Sequence, residues 1–264
     1  MKFGIIGLGN MASAIIGGII KNQIISADEM IGADVSAAGR GRAKAQFGIK
    51  VTDDNKKVVK KADVIVLAVK PQFYKSVIYE IRDEIKENQI IVSIAPGKSL
   101  AWIAEKFGKD IKLVRTMPNT PALVGMGMTA MCPNEQMTEE ETAYIRTLLE
   151  SFGKVEVVSE KLMDVVVSTS GSSPAYVFML IEAMADAAVS GGMPRQQAYQ
   201  FAAQAVLGSA QMVLETGKHP GELKDMVCSP GGTTIEAVRV LEKRGFRSAV
   251  IEAMKVCEEK SKSM

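Results

Sequence analysis

Three clusters of hydroxyl, glycine and proline residues carry most of the chemistry open to this chain. They are Met117-Pro118-Asn119-Thr120-Pro121, Ser170-Gly171-Ser172-Ser173-Pro174-Ala175-Tyr176 and Ser229-Pro230-Gly231-Gly232-Thr233-Thr234. Each reads as a turn beside an apolar segment, and the last two open helices. A glycine-containing turn at a helix start offers N–H donors that have no intrahelical partner, so both suit an anion such as a carboxylate. Ordinary capping by Ser or Thr would leave the same pattern. None of the clusters holds paired carboxylates. The single histidine, His219, lies beside Pro220 in a turn and reads as structural rather than catalytic. Cys228 precedes the third cluster without an evident base, which favours a packing residue over a nucleophile.

A fourth constellation opens the chain. The apolar run Lys2 to Ile6 leads straight into Gly7-Leu8-Gly9-Asn10-Met11-Ala12, and a helix-compatible stretch follows. Strand, tight glycine turn and helix in that order bind a dinucleotide pyrophosphate. The first glycine permits the turn, the second admits the phosphates, and Ala12 allows the helix to pack on the strand. A plain glycine turn is the alternative. Asp34, 25 residues after Gly9, is the candidate for the adenine ribose hydroxyls, against a usual spacing of about 20. Ser36 follows it, and Arg40 and Arg42 lie just beyond. The acid favours NAD and the arginines favour a 2′-phosphate, unless the arginines are simply solvated. Ala68-Val69-Lys70-Pro71 and Ile94-Ala95-Pro96-Gly97 end two further strands, where the crevice of a doubly wound sheet lies. Lys70 there reaches toward a phosphate or ribose, and the small residues after Ile94 leave room for a nicotinamide. A surface lysine and a simple turn would look alike.

Alternating elements position these residues. Phe3–Ile6, Met30–Ala33, Val64–Val69, Ile90–Ile94 and Lys112–Arg115 are apolar on both faces, as buried parallel strands are. Helical patterns at 11–21, 41–47, 55–61, 75–86 and 100–107 separate them. Thr129–Cys132 and Val155–Val158 extend the sheet around a helix at 138–152. The expected fold is α/β: a Rossmann-type doubly wound sheet over 1–160, then an all-helical domain over 161–264. Helices at 175–189, 196–215, 233–243 and 246–260 make up the second part. They are apolar around most of their circumference, which predicts an intertwined dimer.

Composition excludes several classes. The 264 residues carry a net charge of +2, giving no electrostatic case for nucleic acid or an acidic membrane. Glu182 and Asp186 interrupt the longest apolar helical stretch, so no membrane span is expected. Three cysteines, odd in number and widely spaced, suggest a reducing compartment and no metal motif. With no signal peptide visible, a cytoplasmic protein is expected. The 16 methionines are expected to fill core and interface gaps.

Taken together, Arg115-Thr-Met-Pro-Asn-Thr-Pro121, Ser170 to Tyr176, His219 to Asp225 and Ser229-Pro-Gly-Gly-Thr-Thr-Ile-Glu-Ala237 resemble the pyrroline-5-carboxylate reductase family over nearly the whole chain. Gly7-x-Gly9-Asn10-Met11, Ala68 to Pro71, Ser36 and Asn55 match the family's cofactor positions. The resemblance implies reduction of the cyclic imine 1-pyrroline-5-carboxylate to L-proline by NADPH or NADH. It also implies a helical domain that forms homodimers, which assemble into larger rings such as a decamer. Many members have an arginine after the Asp34 position, where this chain has Val35, so strict NADP preference does not follow.

The chemistry is consistent with few acids. An imine nitrogen is basic enough to be protonated, and positioning supplies much of the acceleration. Thr234 is the candidate to hydrogen-bond the imine nitrogen or relay a proton. Ser173 and the N–H groups of Gly232 and Thr233 are candidates to hold the carboxylate, with Ser172 and Gly231 beside them. The expectation is a nucleotide cleft from the amino-terminal half meeting a hydroxyl-bearing helix mouth from the carboxyl-terminal half. A hydroxyacid dehydrogenase would want an acid or base such as Lys161 or Lys224, neither in a convincing setting. A non-catalytic dinucleotide sensor would need Gly7 and Gly9 but not the later clusters.

Overall fold

The structure is a computed structural model and describes residues 1–263. Its contacts divide the chain into two compact units, Met1–Ser172 joined by the chain end from Cys257, and Ser173–Val256. The division lies later than the expected residue 160. Met163 stays with the sheet because it is buried against Met117, Ala130 and Cys132.

The first unit holds an eight-stranded sheet in the order β3-β2-β1-β4-β5-β6-β7-β8. The strands are β1 Phe3–Ile6, β2 Met30–Ala33, β3 Lys50–Thr52, β4 Val64–Leu67, β5 Ile90–Ser93, β6 Lys112–Met117, β7 Gly127–Pro133 and β8 Gly153–Val157. β1 to β6 run parallel, and β7 turns antiparallel to β6 with β8 parallel to β7. The doubly wound expectation holds. Side chains of β4 show why: Val64 and Val66 enter one core while Ile65 and Leu67 enter the other. Each such buried aliphatic side chain stabilises by about 1.5–3 kcal/mol.

Helices α1 Asn10–Lys21, α2 Ala37–Phe47, α3 Asn55–Lys61, α4 Tyr74–Ile81, α5 Leu100–Phe107 and α6 Glu139–Glu150 alternate with the strands. α1 and α6 cover one face through Ile15, Ile16, Ile19, Leu148 and Leu149. α3, α4 and α5 cover the other through Val58, Val59, Ile78, Ile81, Ile103 and Phe107. Local sequence sets their starts. Ser36, Asp54 and Ser99 accept first-turn N–H groups of α2, α3 and α5, and Thr138 with Glu141 forms a capping box on α6.

Several expected boundaries shift. β4 ends at Leu67, so Ala68 and Val69 lie in the turn, which Pro71 carries into a short 3-10 turn. The helix expected over 75–86 ends at Ile81 and tightens into a 3-10 turn at Arg82–Glu84. A helix α7, Met163–Val166, runs into a π turn at Val167–Gly171 and then α8, Ser173–Ser190. The Ser170–Tyr176 cluster is therefore not a turn with free helix-start donors: the Ser172 N–H already bonds the Val167 carbonyl at 2.8 Å.

The second unit contains α8 and α9 Arg195–Thr216, packed as a helical hairpin, then α10 Pro220–Val227 and α11 Thr233–Lys243, and α12 Phe246–Lys262 begins in it. α10 was missed at the sequence level because Pro220-Gly221 resembles a turn. The only buried hydrophobic side chains of the second unit are alanines, Ala185, Ala198 and Ala202, whereas Phe178 is 62% and Phe201 67% exposed.

One buried side chain ties the two strands beside the centre of the sheet. The Tyr74 hydroxyl donates to the Leu67 carbonyl at 2.6 Å and accepts from Ser93 Oγ and the Ile94 N–H. Burial pushes its pKa from 10.0 up to about 12. The denatured chain loses this proton near pH 10 and the native one near pH 12. The associated stability is complete below the lower value and is lost as pH rises to the upper one. Tyr74→Phe is expected to cost about 1–3 kcal/mol at neutral pH, since it leaves buried partners unpaired. Urea titrations across the alkaline window should show stability falling less steeply in the variant. Equal slopes would contradict this account of the phenol.

Candidate active site

The glycine turn after β1 is built on close backbone approach. Gly7 has φ +97°, and a Cβ there would lie 2.6 Å from the Ala68 carbonyl oxygen. Its N–H donates to the Ala33 carbonyl at 2.7 Å, so the turn is held between the ends of β2 and β4. Gly9 is the N-cap of α1 in an extended conformation, with no side chain capping the helix. A Cβ on Gly9 would meet no atom within 4 Å. Here glycine is not needed for the protein's own packing, and the open space lies where helix-start N–H groups of Asn10, Met11 and Ala12 need outside acceptors. No acidic residue occupies the first turn of α1. The arrangement fits the pyrophosphate of a dinucleotide. Ala12, in the first turn of α1, is buried in the core with Phe3 and Ile5 of β1.

The neighbouring acid serves the turn itself. Asp34 accepts the Leu8 N–H on Oδ2 at 2.7 Å and the Ser36 N–H on Oδ1 at 2.8 Å. Arg40 donates to the carbonyls of Asp34 and Val35, holding the same loop from outside. Leu8 turns its side chain into the core, in space that Gly32 leaves open: a Cβ on Gly32 would lie 2.7 Å from Leu8 Cδ2. Sequence reasoning missed Gly32; a glycine inside a strand, opposite a bulky residue in the fingerprint, was the available signal. Ser36 Oγ caps α2, while Val35 and Arg42 are exposed.

Across the crevice, Lys70 is exposed beyond β4, and Pro71 starts the following turn. Ile94 is half-buried, with its N–H on Tyr74, but the Ala95 side chain belongs to the core. Asn55 is the first residue of α3, and its amide donates to Glu80 at 2.8 Å. Tyr74 was not read from the sequence as part of this region.

The Pro-Asn-Thr-Pro cluster also has a definite task. Asn119, 8% exposed, donates to the Ser170 carbonyl at 3.0 Å and accepts the Met128 N–H at 2.9 Å. It ties the π turn to the sheet. Arg115, also buried, pairs with Glu160 at 3.0 Å, and that carboxylate also accepts the Leu100 N–H.

In the second unit, Ser229-Pro230-Gly231-Gly232 has the form of a type II turn: proline second, Gly231 third with φ +66°, and the Gly232 N–H on the Ser229 carbonyl at 3.0 Å. The Gly232 N–H is thus taken within the turn, which corrects the expectation that it faces a ligand. Gly232 caps α11 without a side chain, leaving the first-turn N–H groups of Thr233 and Thr234 for outside acceptors. His219 caps α10, its Nδ1 accepting the Gly221 N–H at 3.0 Å. Lys161 is exposed on a 3-10 turn and Lys224 is paired with Asp225. Among the described residues there is no His, Cys, Asp or Glu group suited to a metal, and no helix is long and apolar enough to cross a membrane.

Comparison with known proteins agrees with both halves. Residues 160–264 match the model for pyrroline-5-carboxylate reductase dimerisation, and residues 2–97 match an NADP oxidoreductase, coenzyme F420-dependent, model. A pyrroline-5-carboxylate reductase of Escherichia coli is 54% identical, covering 100% of this chain and 98% of that protein. The Plasmodium falciparum pyrroline carboxylate reductase crystallised with NADP superposes with a TM-score of 0.92 at 33% identity, covering 100% of this chain and 97% of that one. The Coxiella burnetii reductase gives 0.90 at 34% identity, with 99% and 97% covered. A glycine-floored crevice on a doubly wound sheet, a separate helical unit and similarity along the full length all agree: the chain belongs to the pyrroline-5-carboxylate reductase family.

Proposed function

We propose that this protein reduces the C=N bond of 1-pyrroline-5-carboxylate to give L-proline, the last step of proline biosynthesis, with NADPH or NADH as reductant. The observation that carries the proposal is the full-length 54% identity to a reductase of that name, joined to the open space at Gly9. When bound, the reduced nicotinamide supplies hydride to the imine carbon. The protein's own residues hold the reactants and manage one proton.

The N–H groups of Met11 and Ala12 and the helix dipole of α1 meet the pyrophosphate. Asp34, Ser36 and Asn55 border the adenine ribose, and Lys70 with the Ile94–Ala95 turn borders the other end. Asp34 acts mainly through the backbone it braces, because both its oxygens already accept N–H groups. The hydroxyls of Ser172 and Ser173 and the Thr233 N–H hold the substrate carboxylate, with Gly231 and Gly232 shaping the approach. Thr234 Oγ donates to the imine nitrogen or relays its proton. The nitrogen gains a proton as its carbon gains hydride, and the product is a neutral secondary amine that protonates in water.

The helical unit forms a homodimer, supported by the dimerisation model over 160–264. Dimers assemble further, a decamer being the expected size, in a cytoplasm that keeps Cys132, Cys228 and Cys257 as thiols.

Mixing the protein with 1-pyrroline-5-carboxylate and either NADPH or NADH should give substrate-dependent loss of reduced-nicotinamide absorbance. Oxidation that does not depend on the imine would refute the assignment. Thr234→Ala should lower kcat/KM about 100-fold, the lower range for a positioned proton donor. Unchanged kcat and KM would remove Thr234 from the reaction. Two glycine variants test the crevice against each other. Gly7→Ala should destabilise the fold, whereas Gly9→Ala should melt within a few degrees of the parent and bind NADPH at least about tenfold more weakly. Equal NADPH affinity in Gly9→Ala, by calorimetry, would place the pyrophosphate elsewhere.

A further inference from the structure

The end of α12 engages the segment that carries Ser172. From Cys257 onward this helix belongs to the sheet-bearing unit. Ser261, only 2% exposed, donates its hydroxyl to Asp164 Oδ1 at 2.7 Å. Four residues earlier, Cys257 Sγ donates to Ser172 Oγ at 3.2 Å. The i,i+4 spacing puts both side chains on one helix face. Their partners bracket the π turn: Asp164 lies in α7 just before it, and Ser172 follows its last residue. Asn119 holds the Ser170 carbonyl inside the same turn.

A π turn carries an extra residue and cannot be held by regular helical bonding alone, so its shape depends on what surrounds it. Packing alone would be satisfied by alanine at position 261. A buried hydroxyl is costly unless it is bonded, and here the bond goes to the segment before the turn. At position 172 the chemistry is directional. Because Ser172 Oγ accepts from the thiol, its own proton remains for another acceptor.

We propose that the Cys257–Ser263 end of α12 is a clamp that sets the π turn and aims the Ser172 hydroxyl at the substrate carboxylate. Ser261, Asp164 and Cys257 are positioning residues in this role. The proposal rests on the reading of Ser172 as a carboxylate ligand given above.

Steady-state kinetics with both substrates test it. Ser261→Ala and Cys257→Val should each raise KM for 1-pyrroline-5-carboxylate about 3–10-fold, the loss of one aimed hydrogen bond. KM for NADPH should stay at the parent value, and kcat should fall less than about twofold. Cys257→Ser, which restores a donor, should recover most of the lost affinity. If Ser261→Ala does not fold, the half-buried Cys257 position carries the test. Ser172→Ala separates the two layers of the argument. A raised imino-acid KM in Ser172→Ala with parent values in folded clamp variants overturns the clamp and leaves the ligand assignment standing. An unchanged KM in Ser172→Ala overturns both. Equal rises in the two KM values, or no recovery in Cys257→Ser, mark general loosening and also overturn the clamp.

Discussion

The approach of the Gly7 backbone to Ala68 governs the amino-terminal half of this molecule. No side chain fits between them, since even a Cβ on Gly7 would stand 2.6 Å from the Ala68 oxygen. The approach fixes where the chain leaves β1 and therefore where α1 starts. It also forces Leu8 back into the core, where Gly32 has to make room. Asp34 and Tyr74 serve the same geometry from either side. The carboxylate pins the Leu8 and Ser36 N–H groups, and the phenol joins the end of β4 to the end of β5. The walls of the crevice are bonded to one another through the protein's own groups.

That economy bears on the chemistry. Three partly buried acids of the first unit are already engaged by the protein itself: Asp34 by N–H groups of the glycine turn, Glu160 by the Arg115 side chain and the Leu100 N–H, and Asp164 by the Ser261 hydroxyl. The groups proposed to meet the ligand are helix-start N–H groups and serine and threonine hydroxyls. Such groups bind anions and donate single hydrogen bonds, and they are poor general bases. An imine suits them because its nitrogen is basic enough to take up a proton without a strong general acid. A carbonyl or alcohol would require an acid–base partner, and neither Lys161 on its exposed turn nor Lys224, paired with Asp225, is placed as one.

Much of this was legible in the sequence, for identifiable reasons. β1, β4 and β5 are uniformly apolar, and a strand buried on both faces has no other way to look. The glycine fingerprint announced both its turn and its open space. β3 escaped notice because it is short and partly exposed at the sheet edge. The Ser170–Tyr176 segment misled because Ser, Gly and Pro are turn-formers by local preference, while here the Asn119 bond and the buried Met163 hold the segment helical. By residue type the Gly232 N–H reads as a ligand donor, but the Pro230-Gly231 pair closes a turn that uses it. In the last two cases a tertiary contact, or a bond between residues three apart, overrode residue-type preference.

The helical unit presents the opposite problem from the sheet. Its contact between α8 and α9 buries alanines, and small residues bring helices close without removing much apolar area from water. The large side chains point elsewhere: Phe178, Met179, Phe201 and Leu214 are each more than half exposed in the single chain. At about 25 cal/mol per Å², leaving several such residues wet forgoes stabilisation comparable to the whole stability of a domain. Charges do not offset this, because the ion pairs on these helices are themselves exposed and worth little each. Helices of this composition gain a stable fold by covering their large side chains with another copy, and residues 160–264 match a dimerisation model. The alanines that weaken the solitary unit let its helices lie close together, leaving the large side chains free for the dimer contact.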